Sequence, residues 1–247
     1  MKIVTIVQAR LASTRLPWKV LAKITTEHSL LSFIRSRIED ANHDSIWLAT
    51  TKNEEDEELV DLAQSWGWHA HRGSEIDVLS RFTSICLLEK PDWIIRVTAD
   101  NPLTHKAGLN LLINQASHAQ KRINYISDFL KRQTPQGSFP EIVRMDRLLS
   151  LSNLTLAKHH KVHVTSAIVE SGHGVESLQL NQDFPVRPKW RWTVDELSDL
   201  QFIKSLIESY GPGIIDKGYR EIVEHIDKNL WLVDINCNIR TKSVEEG

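Results

Sequence analysis

The chain has 247 residues, 41% of them hydrophobic, and a net charge of −2. That is apolar material for one sizeable core, and it excludes a disordered, collagenous or disulfide-stapled chain. The near-neutral balance excludes a global electrostatic footprint for nucleic acid or an anionic membrane, yet the first 26 residues carry Lys2, Arg10, Arg15, Lys19 and Lys23 and no acid.

Ile3 to Val7 reads as a buried strand. Leu30, Leu31, Phe33, Ile34 and Ile38 then recur at helical spacing, and Ser45 to Thr50 (SIWLAT) reads as the next strand. Glu54 to Trp66 is predicted helical, with acids in its first turn where the helix dipole favours them. Val78, Leu79, Phe82, Ile85, Cys86 and Leu87 mark another helix, and Trp93 to Val97 (WIIRV) another strand. Strands alternating with helices imply an α/β fold whose parallel sheet is covered on both faces, because parallel neighbours need crossover connections.

Beyond about residue 120 the rhythm loosens: a short strand at Asn124 to Ser127, a Pro/Gly-containing stretch from Thr134 to Pro140, two helices, and a polar-alternating strand near Glu176 to Asn181. Residues 120–188 or so therefore read as a smaller subdomain inserted into a single domain, 1–247. Trp190 to Val194 is expected to be a strand returning to the main sheet, followed by helices near Ser198 to Tyr210 and Tyr219 to Lys228. Cys86 and Cys237 lie far apart and outside any CxxC arrangement, which argues against a disulfide framework and for a reducing cytoplasm. The start, MKIVTIVQAR, lacks a signal-peptide core, and no apolar stretch approaches the ~18 residues of a membrane span. A soluble, cytoplasmic protein is the expectation.

Open α/β sheets bind ligands outside the carboxyl ends of their strands, so residues that follow strands are the first candidates. After the first strand comes a loop with Arg10, Ser13, Thr14, Arg15 and Lys19, donors suited to a polyphosphate although GxxxxGK[ST] is absent. The same loop is also readable as a solvated basic surface. Asp100 and Asp195, each at a strand end, suit a magnesium ion that bridges to phosphate oxygens; either is equally readable as a turn or helix-capping residue. His159 and His163 have the i,i+4 spacing of a zinc pair, but the flanking Lys158 and Lys161 disfavour a cation and HExxH is not matched, so an anion contact is expected there.

The segments VQARLASTRLPWKVL, HRGSEIDVLSRF, RVTADNPL, VHVTS and RWTVDELSDL, in that order, resemble the spore coat polysaccharide protein F family of cytidylyltransferases. That family is similar to the 3-deoxy-manno-octulosonate and acylneuraminate cytidylyltransferases. The resemblance covers most of residues 1 to 210 and implies a Rossmann-like nucleotide-diphospho-sugar transferase fold, usually a homodimer, whose inserted segment serves the acceptor or the dimer. It implies polysaccharide biosynthesis by a magnesium-dependent enzyme that joins CMP from CTP to an acidic sugar or related glycan precursor with release of pyrophosphate.

By motif, the resemblance implies that Arg10, Ser13, Arg15 and Lys19 hold the triphosphate and that Gln8 and Ala9 lie against the base. Arg72, Gly73 and Ser74, with Asp77 nearby, would border the nucleotide, Asp100 and Asp195 would hold Mg2+, and Glu141 and His163 would face the acceptor. Arg10, Lys19 and Asp100 would carry catalysis. Three departures stand against the pattern: Trp18 in place of a usual glycine, Phe139 in place of the aspartate of a GxDxE element, and Val162 in place of a glutamate before His163. If the glycine serves a positive φ, Trp18 adopts it under strain; otherwise Trp18 has negative φ and packs on a helix. The alternative to an active enzyme is a catalytically silent, nucleotide-binding relative acting as a scaffold or partner of a glycan-biosynthesis enzyme.

Overall fold

A computed structural model describes residues 1–241. The elements run β1 (Ile3–Gln8), α1 (Leu30–Ile38), β2 (Ser45–Thr51), α2 (Glu57–Ser65), β3 (His69–Gly73), α3 (Val78–Glu89), β4 (Trp93–Thr98) and α4 (Lys106–His118). Then come β5 (Tyr125–Ser127), β6 (Glu141–Arg144), α5 (Met145–Leu151), α6 (Lys158–His163), α7 (Ser166–Ser171), β7 (Val175–Ser177), α8 (Leu197–Tyr210), α9 (Tyr219–Lys228) and α10 (Trp231–Asp234). All strands share one sheet of order β3-β2-β1-β4-β6-β5-β7. It is mostly parallel; β6 runs antiparallel to both β4 and β5.

Period-two burial builds the two faces. Ile3 and Val7 of β1 pack toward α1, α2 and α4, whereas Val4 and Ile6 pack toward α3, α5 and α7. A third cluster lies beside the sheet, where Phe33 of α1 meets Phe202, Ile203 and Leu206 of α8 and Ile222 and Ile226 of α9. Buried Arg37 ties α1 to this layer by donating to the carbonyls of Leu103, Thr104, Ile214 and Ile215.

The segment 190–194 corrects the sequence expectation. It is extended, but apart from a single bridge from Arg191 to Gln136 it joins no strand. Residues 191–194 are all buried, and the apolar ones, Trp192 and Val194, enter the third cluster instead of the sheet. Alternation reports one buried face without saying what covers it. The region about 120–188 supplies β5, β6 and β7 to the same sheet. The expected helix from Glu54 begins as a 3-10 turn, Glu54–Asp56. No helix among the described residues is long and apolar enough to cross a membrane.

β1 stands between β2 and β4, so the chain leaves β1 to one side and returns on the other. That is the topological switch point at which doubly wound sheets open a crevice. Gln8 and Thr98, the last residues of β1 and β4, are register partners there.

Candidate active site

A cavity of about 1340 Å³ opens over this switch point. It exceeds the ~300–1,000 Å³ usual for one small ligand. Its lining holds nine Lys/Arg against six Asp/Glu, the opposite sign to the whole chain, as an anionic ligand requires.

The basic loop is held by buried Asp56, which accepts from the Leu11 amide at 2.8 Å, the Thr51 amide at 3.1 Å and the Thr50 hydroxyl at 2.9 Å. The Trp18 amide closes the loop onto the Leu11 carbonyl at 2.9 Å. Trp18 takes φ 61° and ψ 12°, the left-handed region, while its indole is half exposed and does not line the cavity. The positive-φ reading of that position is the one observed.

Lys19 is the hub of the site. Its ammonium has three protons, and all three are engaged: with Val194 O at 2.6 Å, Asp100 Oδ2 at 3.1 Å and Asp195 Oδ1 at 3.2 Å. Arg15 reaches Asp195 Oδ1 at 3.0 Å, and Arg191 donates to Asp195 Oδ2 at 2.8 Å. Burial alone would push the Asp195 carboxyl up, but Lys19, Arg15 and Arg191 more than offset it and hold it below its ordinary value. Arg191 is fixed from behind by Asp199, which is fully buried and also accepts from the Asp195 and Glu196 amides and from Asn236. Asp199 with Glu196 caps α8, and His105 caps α4. The capping roles open to Asp195 and Asp100 are therefore filled by other residues; Asp100 does sit in the turn that follows β4, and both carboxylates line the cavity.

Two carboxylates from separate segments are donors that a hard divalent cation takes. The ammonium between them marks a place where the chain already stabilises a cation. The residues present fit such an ion.

Across the cavity, Glu141 starts β6. Its Oε1 accepts from Arg96 at 2.7 Å, and its Oε2 accepts from Tyr125 OH at 3.0 Å and from the Thr165 hydroxyl. Burial first, and then the Glu141 charge, push the Tyr125 phenol well above its ordinary range, so it stays a donor. Arg96 also donates to Gln8 Oε1 at 3.2–3.3 Å, which leaves the Gln8 amide nitrogen as the end free to donate elsewhere. Val164, fully buried, has φ 58° and ψ −58° in a three-residue turn closed by Thr165 N on His163 O at 2.5 Å. For a β-branched residue this is a strained conformation, of order 1–3 kcal/mol. It holds His163 on the cavity and Thr165 on Glu141.

Gln8, Ala9, Arg10, Ser13, Arg15, Lys19, Ser74, Asp77, Asp100, Glu141, His163 and Asp195 thus share one cavity. Arg72 and Gly73 do not reach it. Arg72 is turned to Thr51 O, Asn53 O and Glu57, and Gly73 is small because a Cβ would stand 2.7 Å from Arg81 Cγ. Arg81 in turn pins the cavity-facing loop through Ser74 O and Glu75 O. Phe139, at the departed aspartate position, lines the cavity but packs on Phe184. Gly137 cannot be larger: at φ +89° its Cβ would meet Asn101 and Thr193 within 2.8 Å. Sequence reasoning missed Arg96, Tyr125, Arg191 and Asp199. Arg96 carried a signal, a charge inside the apolar strand WIIRV; Arg191 and Asp199 stand four residues to either side of Asp195.

A family model described as cytidylyltransferase matches residues 4–178. The spore coat polysaccharide biosynthesis protein SpsF of Bacillus subtilis is 31% identical over 217 residues, covering 85% of this chain and 88% of that protein. A cytidylyltransferase structure from Leptospira borgpetersenii aligns with a TM-score of 0.87 at 24% identity, over 98% of this chain and 100% of that one. CMP:2-keto-3-deoxy-manno-octonic acid synthetase complexed with CTP aligns with a TM-score of 0.65 at 16% identity, over 85% of this chain and 100% of that one.

Proposed function

Because the chain belongs to the cytidylyltransferase family, we propose that it transfers CMP from CTP to a hydroxyl of an acidic sugar or related glycan precursor and releases pyrophosphate. The observation that carries this reading is the meeting of Lys19, Asp100 and Asp195 at the switch point. The acceptor oxygen attacks the α-phosphorus, and the bond to the bridging oxygen of the leaving pyrophosphate breaks. Charge grows on phosphate oxygens, so fixed cations can supply the stabilisation without a covalent intermediate.

Arg10 and Arg15 are the mobile donors. They are paired with the part-exposed Glu75 and with Asp195 and Glu196, and such pairs exchange at little cost. Asp100 and Asp195 would hold a divalent ion, Mg2+ in this proposal, whose chemistry is to neutralise phosphate charge and acidify the attacking hydroxyl. Gln8 and Ala9 border the base, and Ser13, Ser74 and Asp77 border the nucleotide. Glu141, fixed by Arg96, Tyr125 and Thr165, accepts a hydrogen bond from an acceptor hydroxyl, with His163 beside it. We extend the proposal to a cytoplasmic homodimer in which residues about 120–188 serve the acceptor and the subunit contact; β7, the half-buried edge strand of the sheet, supports it, and sedimentation tests it.

Pyrophosphate release from CTP and Mg2+ against a panel of acidic sugars tests the reaction. Turnover with one of them that is lost in Asp100→Asn is the expected result. Saturable CTP binding with no turnover across the panel would favour the silent scaffold.

A further inference from the structure

His159 and His160 lie on α6 and Glu170 on α7. One ring nitrogen of each histidine and one Glu170 carboxylate oxygen lie within 4.8 Å of one another. None of the three lines the cavity. The sequence spacing pointed to His159 with His163; the fold instead gathers His159, its neighbour and a carboxylate from the following helix.

Three observations describe this cluster. His160 is buried, with Nε2 at 3.1 Å from Glu170 Oε2. Its other nitrogen, Nδ1, is 2.8 Å from the Ser166 hydroxyl, the arrangement by which an outer partner fixes ring orientation and tautomer at metal sites. The His159 ring lies against the His160 ring at 4.0 Å between centroids, and His159 Nε2 is shielded from solvent without a hydrogen-bond partner. A buried polar nitrogen without a partner is costly.

We propose that His159, His160 and Glu170 bind a divalent transition ion of the zinc class, with water completing a four-coordinate shell. Ligand bonds of 2.0–2.2 Å in a tetrahedron put donor atoms about 3.3–3.5 Å apart. The 3.1 Å between His160 and Glu170 is close to that separation, and small side-chain rotations bring the third donor in. Two imidazoles and a carboxylate are zinc-type donors, unlike the all-oxygen pair Asp100 and Asp195. The flanking lysines do not oppose the ion. Lys158 and Lys161 line the cavity, and Lys161 pairs with Asp77 at 3.6 Å. The ion clamps α6 to α7 and so steadies the helix that presents Lys158, Lys161 and His163 to the cavity. None of this depends on the nucleotidyl-transfer reading.

The test uses the full chain without a histidine tag, stripped with chelator and kept in excess Mg2+ to occupy oxygen sites. Titration with Zn2+ by calorimetry should give one ion per chain, and Co2+ in its place should give the intense visible absorption of a tetrahedral site. Glu170→Gln, His159→Gln and His160→Gln should each weaken Zn2+ binding at least tenfold, while Asp100→Asn leaves it unchanged. Glu170 is exposed, so its variant folds even where a histidine variant does not. Fewer than one ion per chain in the wild type, or undiminished binding by Glu170→Gln, overturns the proposal and leaves the cluster an ordinary histidine–carboxylate contact.

Discussion

Asp195 and Glu141 line one cavity and are held in different ways. Three cations, Lys19, Arg15 and Arg191, surround Asp195. Glu141 has one cation, Arg96, and two neutral hydroxyls, Tyr125 and Thr165. In the proposed reaction, a carboxylate caged by cations trades one of them for another cation as the phosphates draw Lys19 or Arg15 away. A carboxylate held mainly by hydroxyls, with four acceptor sites in all, has capacity left for the hydroxyl of an acceptor. The wall around Asp195 thus suits charge and the wall around Glu141 suits orientation, although β4 lends Arg96 to the second and α6 adds Lys158 and Lys161 to the cavity lining.

The sharpest way to break this contrast is at Asp199, which underlies the charged wall. Asp199→Ala leaves Arg191 buried without its bidentate partner, and removing one member of a buried pair costs about 3–5 kcal/mol. Urea unfolding should show that loss as a lower midpoint at unchanged slope. A change near zero would mean that Arg191 finds Asp195 sufficient, and the two walls would then differ less than the geometry suggests.

Next in size is Asp100→Asn, expected to lower kcat/KM by roughly 10²–10³, the scale of losing one electrostatic stabiliser of the transition state, with the fold intact. Asp195 adds a pH signature. Its carboxyl is depressed in the folded chain, so its contribution to stability is present above the unfolded value of about 3.9 and is lost as pH falls through the lower folded one. Stability of the wild type should fall over that acid range relative to Asp195→Asn, whose profile lacks the step. Parallel profiles would contradict the cation cage.

On the opposite wall Glu141→Gln removes a charge-assisted bond worth roughly 1.5–3 kcal/mol. It should raise the KM for the acceptor while the Kd for CTP, read by calorimetry, stays put. Loss of CTP affinity instead would mean that Arg96 transmits the change to Gln8, and that the walls are one unit.

The charged wall was also the legible one. Arg10, Arg15, Lys19 and Asp100 follow apolar strands and could be placed by rule from local pattern, whereas Asp195, expected at a strand end, follows an extended segment outside the sheet. Both walls are assembled over long separations: Lys19 is 81 residues from Asp100 and 176 from Asp195, and Glu141 is 45 residues from Arg96, which is 88 from Gln8. No local period encodes such contacts. β3 escaped notice because HAHRG has little apolar alternation, only Gly73 being buried. Arg72, which the resemblance places at the border of the nucleotide, instead binds the 51–57 turn and does not line the cavity.

The smallest expected effect is at Trp18, where the charged wall carries a strain that the oriented wall carries at Val164. A left-handed conformation costs an L-residue about 1–2 kcal/mol, and glycine would release it. Glycine also gains freedom in the unfolded chain, which takes back about 0.5–1 kcal/mol. Trp18→Gly should therefore stabilise the protein by about 0–1.5 kcal/mol, seen as a small rise in Tm. Because the half-exposed indole lies outside the cavity lining, CTP affinity should remain as it was. A tighter Kd in the glycine variant would show that the indole reaches the phosphates, whereas a drop in Tm would show that its contacts outweigh the strain. Either result would show that the indole, and not only the backbone at Trp18, serves the charged wall.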